Sequence, residues 1–175
     1  ASQEHNPEPL VYVDVPDNTT DERNTAPQEV RRIDAYLSRH PDKQVGIITP
    51  FARQRAAIEA MLRANHYDNA SCGTVHAFQG DEKDVVIFSL ALTNRTQQRT
   101  YNWLKNNKEL INVAVSRARE QLVILSNMAQ LGRLHSGSDG DDDLYELVQY
   151  TRTQGESQVS EKPANSRALG IKPYS

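Results

Sequence analysis

The strongest constraint on this chain is a set of short, nearly uninterrupted apolar runs. Residues 10–15 (LVYVDV), 45–48 (VGII), 85–90 (VVIFSL) and 122–126 (LVILS) are rich in Val, Ile and Leu. Runs of this length suit strands covered on both faces, the usual condition of a parallel sheet. Residues 71–75 read as a further short strand. Helical patterns lie between these runs. Pro27 opens one, with Val30, Ile33, Ala35 and Leu37 on roughly one side, and His40-Pro41-Asp42 ends it. Residues 53–64 repeat Ala56, Ala57, Ala60, Met61 and Ala64 at helical spacing. Residues 108–119 read as a helix, and residues 128–134 as a short one. The order is strand, helix, strand, helix, strand, strand, helix, strand. It predicts an α/β fold with a mainly parallel sheet. Ligands of such sheets collect at the carboxyl ends of the strands. The segments just after Ile48, Val75 and Leu90, and the helix before Leu122, are therefore the places to search.

Polar stretches divide the chain. Residues 1–9 read as a disordered lead-in. Residues 10–135 hold the α/β domain, and inside it 93–107 form a long polar connection with Tyr101 and the only tryptophan, Trp103. Residues 136–143 (SGSDGDDD) read as a flexible acidic linker. Residues 144–175 read as a short helix, 144–152, followed by a disordered tail. The formal net charge is -3, with 20 Lys+Arg against 23 Asp+Glu. A local patch matters more than that sum for binding nucleic acid. No apolar run reaches the length of a membrane span, and residues 1–20 lack a secretory core, so an intracellular place is expected. The lone Cys72 excludes an internal disulfide and a Cys-rich zinc site. The chain starts with Ala1, which suggests a processed or excised piece. None of the eight glycines is followed by Lys, so no G-x-x-x-x-G-K-[ST] phosphate loop is present. On its own this chain is not expected to be a P-loop NTPase.

Three segments carry chemistry. Thr49-Pro50-Phe51-Ala52-Arg53-Gln54-Arg55 follows the second strand. Its arginines are planar, permanently charged forks suited to phosphate oxygens, although a solvated helix start would look the same. Gly73 to Asp84 (GTVHAFQGDEKD) leads a short strand into a polar loop. Gly80 allows close backbone approach to a ligand. Glu82 can accept hydrogen bonds from sugar hydroxyls, and His76 can stack on a base. Leu110 to Arg119 (LINVAVSRAR) reads as an apolar helix ending in two arginines that point in different directions. An arginine held on a packed helix is pre-organised as an arginine finger requires. Charge complementing the helix dipole is the plainer reading of either one alone.

Together the three segments resemble one family. ITPFARQR is similar to motif IV, TVHAFQGDEKDVVIFS to motif V and LINVAVSRAR to motif VI of superfamily 1 helicases. The nearest branch is the one containing the nonsense-mediated-decay RNA helicase and its DNA-helicase relatives. The resemblance covers residues 10–131 and identifies a second RecA-like domain, a three-layer sandwich. It implies that ATP binds between two such domains, the missing first domain of the same polypeptide supplying the phosphate loop and the Mg2+ carboxylates. It implies that Arg55 and Arg117 are the catalytic arginine fingers. Gln54, Gly80, Glu82 and Arg119 match nucleotide-binding positions, Gly80 near the γ-phosphate and Glu82 at the ribose. Thr49, Pro50, Thr74, Val75 and His76 match positions that face single-stranded nucleic acid, DNA or RNA. Ser116 stands where the family often has Thr, Asp81 occupies a variable position, and the polar stretch before the first helix fits loosely.

The resemblance makes the chain the second motor domain of an ATP-dependent helicase or translocase, inactive as an isolated fragment. Two other readings stay open. One is a RecA-like binding or regulatory module without ATPase activity. The other is the motor part of a fused nuclease.

Overall fold

Along strand β4 (Lys83–Ser89) Val86 and Phe88 face one side of a sheet while Val85 and Ile87 face the other, and all four are buried. Successive strand side chains point to opposite faces, so a run without polar interruption must be covered on both. The computed structural model, which describes residues 9–78 and 81–160 without the side chains of 76, 77 and 155–160, shows how. β1 (Leu10–Asp14), β2 (Val45–Ile48), β3 (Ala70–Gly73), β4 and β5 (Ala118–Ser126) form one sheet in the order β1-β5-β4-β2-β3. Every neighbouring pair is parallel.

One face carries α1 (Pro27–Arg39) and α2 (Ala52–Ala64). Ile33, Tyr36 and Leu37 of α1 and Ile58 and Leu62 of α2 pack there against Val45, Ile47, Val85 and Ile87. The other face carries α3 (Gln98–Leu104), α4 (Lys108–Ser116), α5 (Met128–Ser136) and α6 (Asp143–Ser160). Tyr101, Leu110, Leu131 and Leu144, one from each, join Ile48, Val86, Phe88 and Ile124. The α/β three-layer sandwich expected from the sequence is therefore present, with a sheet that is wholly parallel.

The structure corrects five expectations. The polar connection at 93–107 contains α3, because Tyr101 and Leu104 supply a fully buried face that polar neighbours hide from a count of apolar residues. The helix expected to end at Arg119 stops at Ser116. Arg117 caps it, and Arg119 already lies in β5. Residues 74–78 do not prolong β3. Val75–Phe78 form a single 3-10 turn whose Phe78 is buried. Residues 136–143 are anchored rather than free. Asp142, 3% exposed, accepts hydrogen bonds from the Tyr101 hydroxyl at 2.6 Å and lies 2.9 Å from His135 Nδ1. α6 then continues past 152 to Ser160, with Leu144 and Val148 in the same core as α3 to α5. The lead-in 1–8 and the tail 161–175 lie outside the described residues.

Candidate functional site

The segment joining β3 to β4 decides the layout of the site. It leaves the carboxyl end of β3 at Thr74 and enters the amino end of β4 at Lys83, so it passes from one rim of the sheet to the other. On the way the Phe78 ring lies on β2 at Gly46. A Cβ there would meet the ring at 2.8 Å and the Lys83 side chain at 2.9 Å. Only glycine permits so close an approach. Gly46 is thus why this strand reads VGII rather than as four branched residues.

At the carboxyl rim, Thr49 is 4% exposed and its hydroxyl is buried without a partner. Pro50 and Val75 are half-buried and Thr74 is exposed. Of the four matched positions whose side chains are described, Thr74 is therefore the most accessible and Thr49 is enclosed. His76 lies in the 3-10 turn, and its side chain is outside the described residues, as is the whole of Gly80.

Gln54 and Arg55 sit side by side on the first turn of α2 and have opposite surroundings. Gln54 is fully buried. Its oxygen accepts from the Ala26 amide at 2.8 Å, and its nitrogen donates to the Ala26 carbonyl at 3.3 Å and to Ser89 Oγ at 3.1 Å. Its donors are used, so the structure gives it a clamping role between α1, α2 and β4 and no free group for a nucleotide. Arg55 has a buried Nε with no hydrogen-bond partner. It is near enough to Cys72 on β3 to oppose the burial that pushes that thiol up to about 12.

Gln54 belongs to a buried network that the sequence alone does not announce. Glu29, fully buried on α1, accepts from Ser89 Oγ at 2.6 Å, from Asn18 Nδ2 at 2.6 Å and from the Ala91 amide at 3.1 and 3.2 Å. Burial pushes the Glu29 carboxyl up to about 7, opposed by those donors. Ala91 has φ +54, a left-handed conformation that costs a non-glycine residue about 1 kcal/mol. The Glu29 carboxylate holds the amide of that strained residue, and so fixes where the chain leaves β4. Any signal was slight: an acidic residue in the first turn of a helix reads first as a dipole partner.

At the amino rim, the Arg117 carbonyl accepts from the Lys83 amide at 2.9 Å, so motif V and motif VI meet where β4 and β5 begin. Arg117, like Arg55, has a buried Nε without a partner. Glu82 is exposed, and its carboxylate has no partner among the described residues. Arg119 is engaged: its guanidinium meets Asp84 Oδ1 at 3.0 and 3.3 Å and the Glu82 carbonyl at 3.5 Å. The Gln44 amide, and after it Arg119, hold the Asp84 carboxyl below its ordinary value. The site residues are thus not gathered on the carboxyl rim. Thr49, Pro50, Thr74 and Arg55 leave from that side, while Glu82, Arg117 and Arg119 lie at the amino rim, and the crossover 74–82 joins them. The sequence predicts Arg117 on a helix; in the structure it caps a helix that runs from the carboxyl rim to the amino rim.

No cluster of three or more His, Cys, Asp or Glu side chains that could hold a metal ion exists among the described residues. No helix among them is long and apolar enough to cross a membrane.

Comparison with known proteins supplies the family. The AAA domain family matches residues 3–129. The "ATP-dependent helicase NAM7" of Saccharomyces cerevisiae is 37% identical over 97 residues, covering 52% of this chain and 10% of that protein. The "DNA polymerase alpha-associated DNA helicase A" of the same yeast is 34% identical over 94 residues, covering 53% of this chain and 13% of that protein. The chain therefore spans about a tenth of the length of these relatives. Among solved structures, the C-terminal domain of a "possible DNA helicase" from Lactobacillus plantarum aligns with a TM-score of 0.46 and 16% identity, over 70% of this chain and 75% of that one. With motifs IV, V and VI set on the five-stranded parallel sheet in family order, the chain belongs to the AAA domain family as the C-terminal domain of a superfamily 1 helicase related to NAM7 and DNA helicase A.

Proposed function

We propose that this chain is the second motor domain of an ATP-dependent helicase or translocase. It completes an ATP site whose phosphate loop belongs to a first RecA-like domain, and it grips single-stranded nucleic acid. The observation that carries the reading is the pair of buried, partnerless Nε atoms on Arg55 and Arg117. Burying part of a guanidinium without a hydrogen-bond partner is costly. A phosphate oxygen would remove that cost at both positions. Their neighbours Gln54 and Arg119, already matched inside the protein, are structural.

ATP, with Mg2+ held by the first domain, would supply the phosphoryl group and the free energy of its transfer. In this chain, Arg117, beside Glu82 at the amino rim, offsets charge at the γ-phosphate, and Arg55, which leaves from the other rim, joins it there only when the cleft closes; an arginine finger is worth on the order of 10³–10⁵ in rate. Glu82 accepts from the ribose hydroxyls, and Gly80 is assigned to the γ-phosphate by its motif position alone. Because these groups stand on a separate domain, they act only when the cleft closes. Closure changes the grip on the strand, which gives stepwise movement. Contacts at Thr74 and its neighbours address backbone and base faces, and so tolerate any sequence.

The test is ATP turnover stimulated by single-stranded nucleic acid, in a polypeptide that joins this chain to a phosphate-loop domain. Turnover is expected to need both parts, with the 175-residue chain alone inactive. Hydrolysis by the chain alone would overturn the reading. A chain that binds nucleic acid while the joined polypeptide never hydrolyses ATP would favour the binding-module alternative.

A further inference from the structure

The stretch between Asp84 and Glu109 contains Arg95, Arg99, Lys105 and Lys108 and no acidic residue, in a chain whose formal charge is -3. Two of the four cations are engaged. Lys105 is buried and donates to the Asp139 carbonyl, and Lys108 pairs with Asp143 at 2.8 Å. Arg95 and Arg99 are exposed, and neither side chain has a partner among the described residues.

α3 fixes what these arginines stand beside. Tyr101 and Leu104 face the core, with the Tyr101 hydroxyl on Asp142, and Gln98 donates to the Leu134 carbonyl at 2.7 Å. The opposite face presents Arg99 and, four residues on, Trp103, which is 59% exposed. Residues spaced i, i+4 share one helix face, about 5–6 Å apart at Cβ. A large exposed aromatic beside an unpaired guanidinium, with no carboxylate in the surrounding stretch, suits a base face and its neighbouring phosphate.

The mounting is firm. Arg133 donates to the carbonyls of Thr93 and Thr96 at 3.3 and 3.1 Å, which holds the turn carrying Arg95. This segment leaves the carboxyl end of β4, the strand beside β2, whose own carboxyl end carries Pro50.

We infer that α3 is a further nucleic-acid contact, in which Trp103 stacks on a base of single-stranded nucleic acid while Arg99 and Arg95 meet its phosphates. The inference rests on the nucleic-acid reading proposed above and extends the path by a ring and two charges not among its motif positions. Two unpaired guanidiniums beside an exposed ring make single-stranded nucleic acid the favoured occupant over a protein surface, the acidic residues Asp139, Asp141 and Asp143 being held just past the end of α3 by Lys105, Asn106 and Lys108.

Trp103 is the only tryptophan of the chain, so its emission reports directly on the contact. The 175-residue chain is titrated with dT12 and U12 oligonucleotides, following Trp103 fluorescence and, separately, the anisotropy of end-labelled oligonucleotide. Binding with quenched emission is expected. W103A should weaken binding about tenfold, the scale of one lost stacking contact, while W103F retains most of it. R99A should flatten the dependence of log K on log salt by about 0.7, one phosphate contact. Thermal unfolding of each variant, at an exposed position, should match the parent. Oligonucleotide binding with unchanged emission and an undiminished W103A would overturn the inference and leave the reading of Thr74 intact, assigning this face to a protein neighbour. No binding of either oligonucleotide would overturn both.

Discussion

At the carboxyl rim of the sheet, a chain of enclosed polar side chains is largely matched within itself, although the Thr49 and Ser126 hydroxyls beside it have no partner. At the amino rim, polar side chains stand more open, around the ion pairs Arg119–Asp84, Lys43–Glu120 and Lys83–Asp81. The carboxyl rim holds the chain Asn18–Glu29–Ser89–Gln54–Ala26, in which Glu29 and Gln54 are fully buried and bridged by Ser89. The amino rim holds Glu82, its carboxylate without a partner among the described residues, Arg117 with a bare buried Nε, and Arg119 on Asp84. A largely matched buried network fixes a shape, whereas the arginine Nε atoms left unmatched are the ones the proposed function assigns to ATP. The same motifs thus contribute to both. Within motif IV, Gln54 is scaffold and Arg55 is held out; within motif VI, Arg117 is held out and Arg119 is scaffold.

The sharpest way to break this contrast is to remove the arginines one at a time in a polypeptide that also carries the phosphate-loop domain. Arg117→Ala should lower turnover by about 10³-fold or more, with nucleotide binding little changed. Arg119→Ala should lower it far less. Steady-state turnover and equilibrium nucleotide binding read the two separately, and equal losses for the two variants would erase the distinction. Removing the scaffold at the other rim should act on stability. Glu29→Ala strands the Asn18, Ser89 and Ala91 donors and should cost about 3 kcal/mol in urea unfolding, as stranded buried donors do.

A pH series refines the same point. The Glu29 carboxyl is raised from 4.5 to about 7 in the folded chain. Below pH 4.5 both folded and unfolded chains carry the proton, and its contribution is fully present. As pH rises towards 7 the unfolded chain releases it first, so stability falls across that window by up to about 3 kcal/mol. Urea midpoints at pH 5 and pH 8 should show this loss in the parent and a flatter profile in Glu29→Gln. An identical slope in both would remove the carboxyl from the account. The smallest effect belongs to the amino rim, where Arg119→Ala breaks a half-exposed ion pair and should cost less than about 1 kcal/mol, less again at high salt.

Much of the fold was legible before the coordinates. Strands β2 and β4 and the start of α1 were placed by apolar runs and by Pro27, because burial on both faces and a fixed φ leave a local trace. α3 was not legible, because two buried side chains among polar ones make a weak pattern. Nor was the anchoring of residues 136–143: SGSDGDDD has the composition of a linker, and only the position of Tyr101 and His135 makes Asp142 a buried acceptor. Motif residues were legible as types, but Gln54 and Arg55 are equally polar on paper. Which of them turns inward depends on α1, which is distant in sequence.

The sequence by itself determined the α/β class, the family motifs and the lack of a phosphate loop within these 175 residues, since periodicity and spacing are local properties of the chain. Tertiary structure alone decided which motif side chains are free. Hydrogen-bond capacity is used up by partners that the fold brings together, as when Ala26 and Ser89 occupy Gln54, Asp84 occupies Arg119, and nothing reaches the Nε of Arg55 or Arg117.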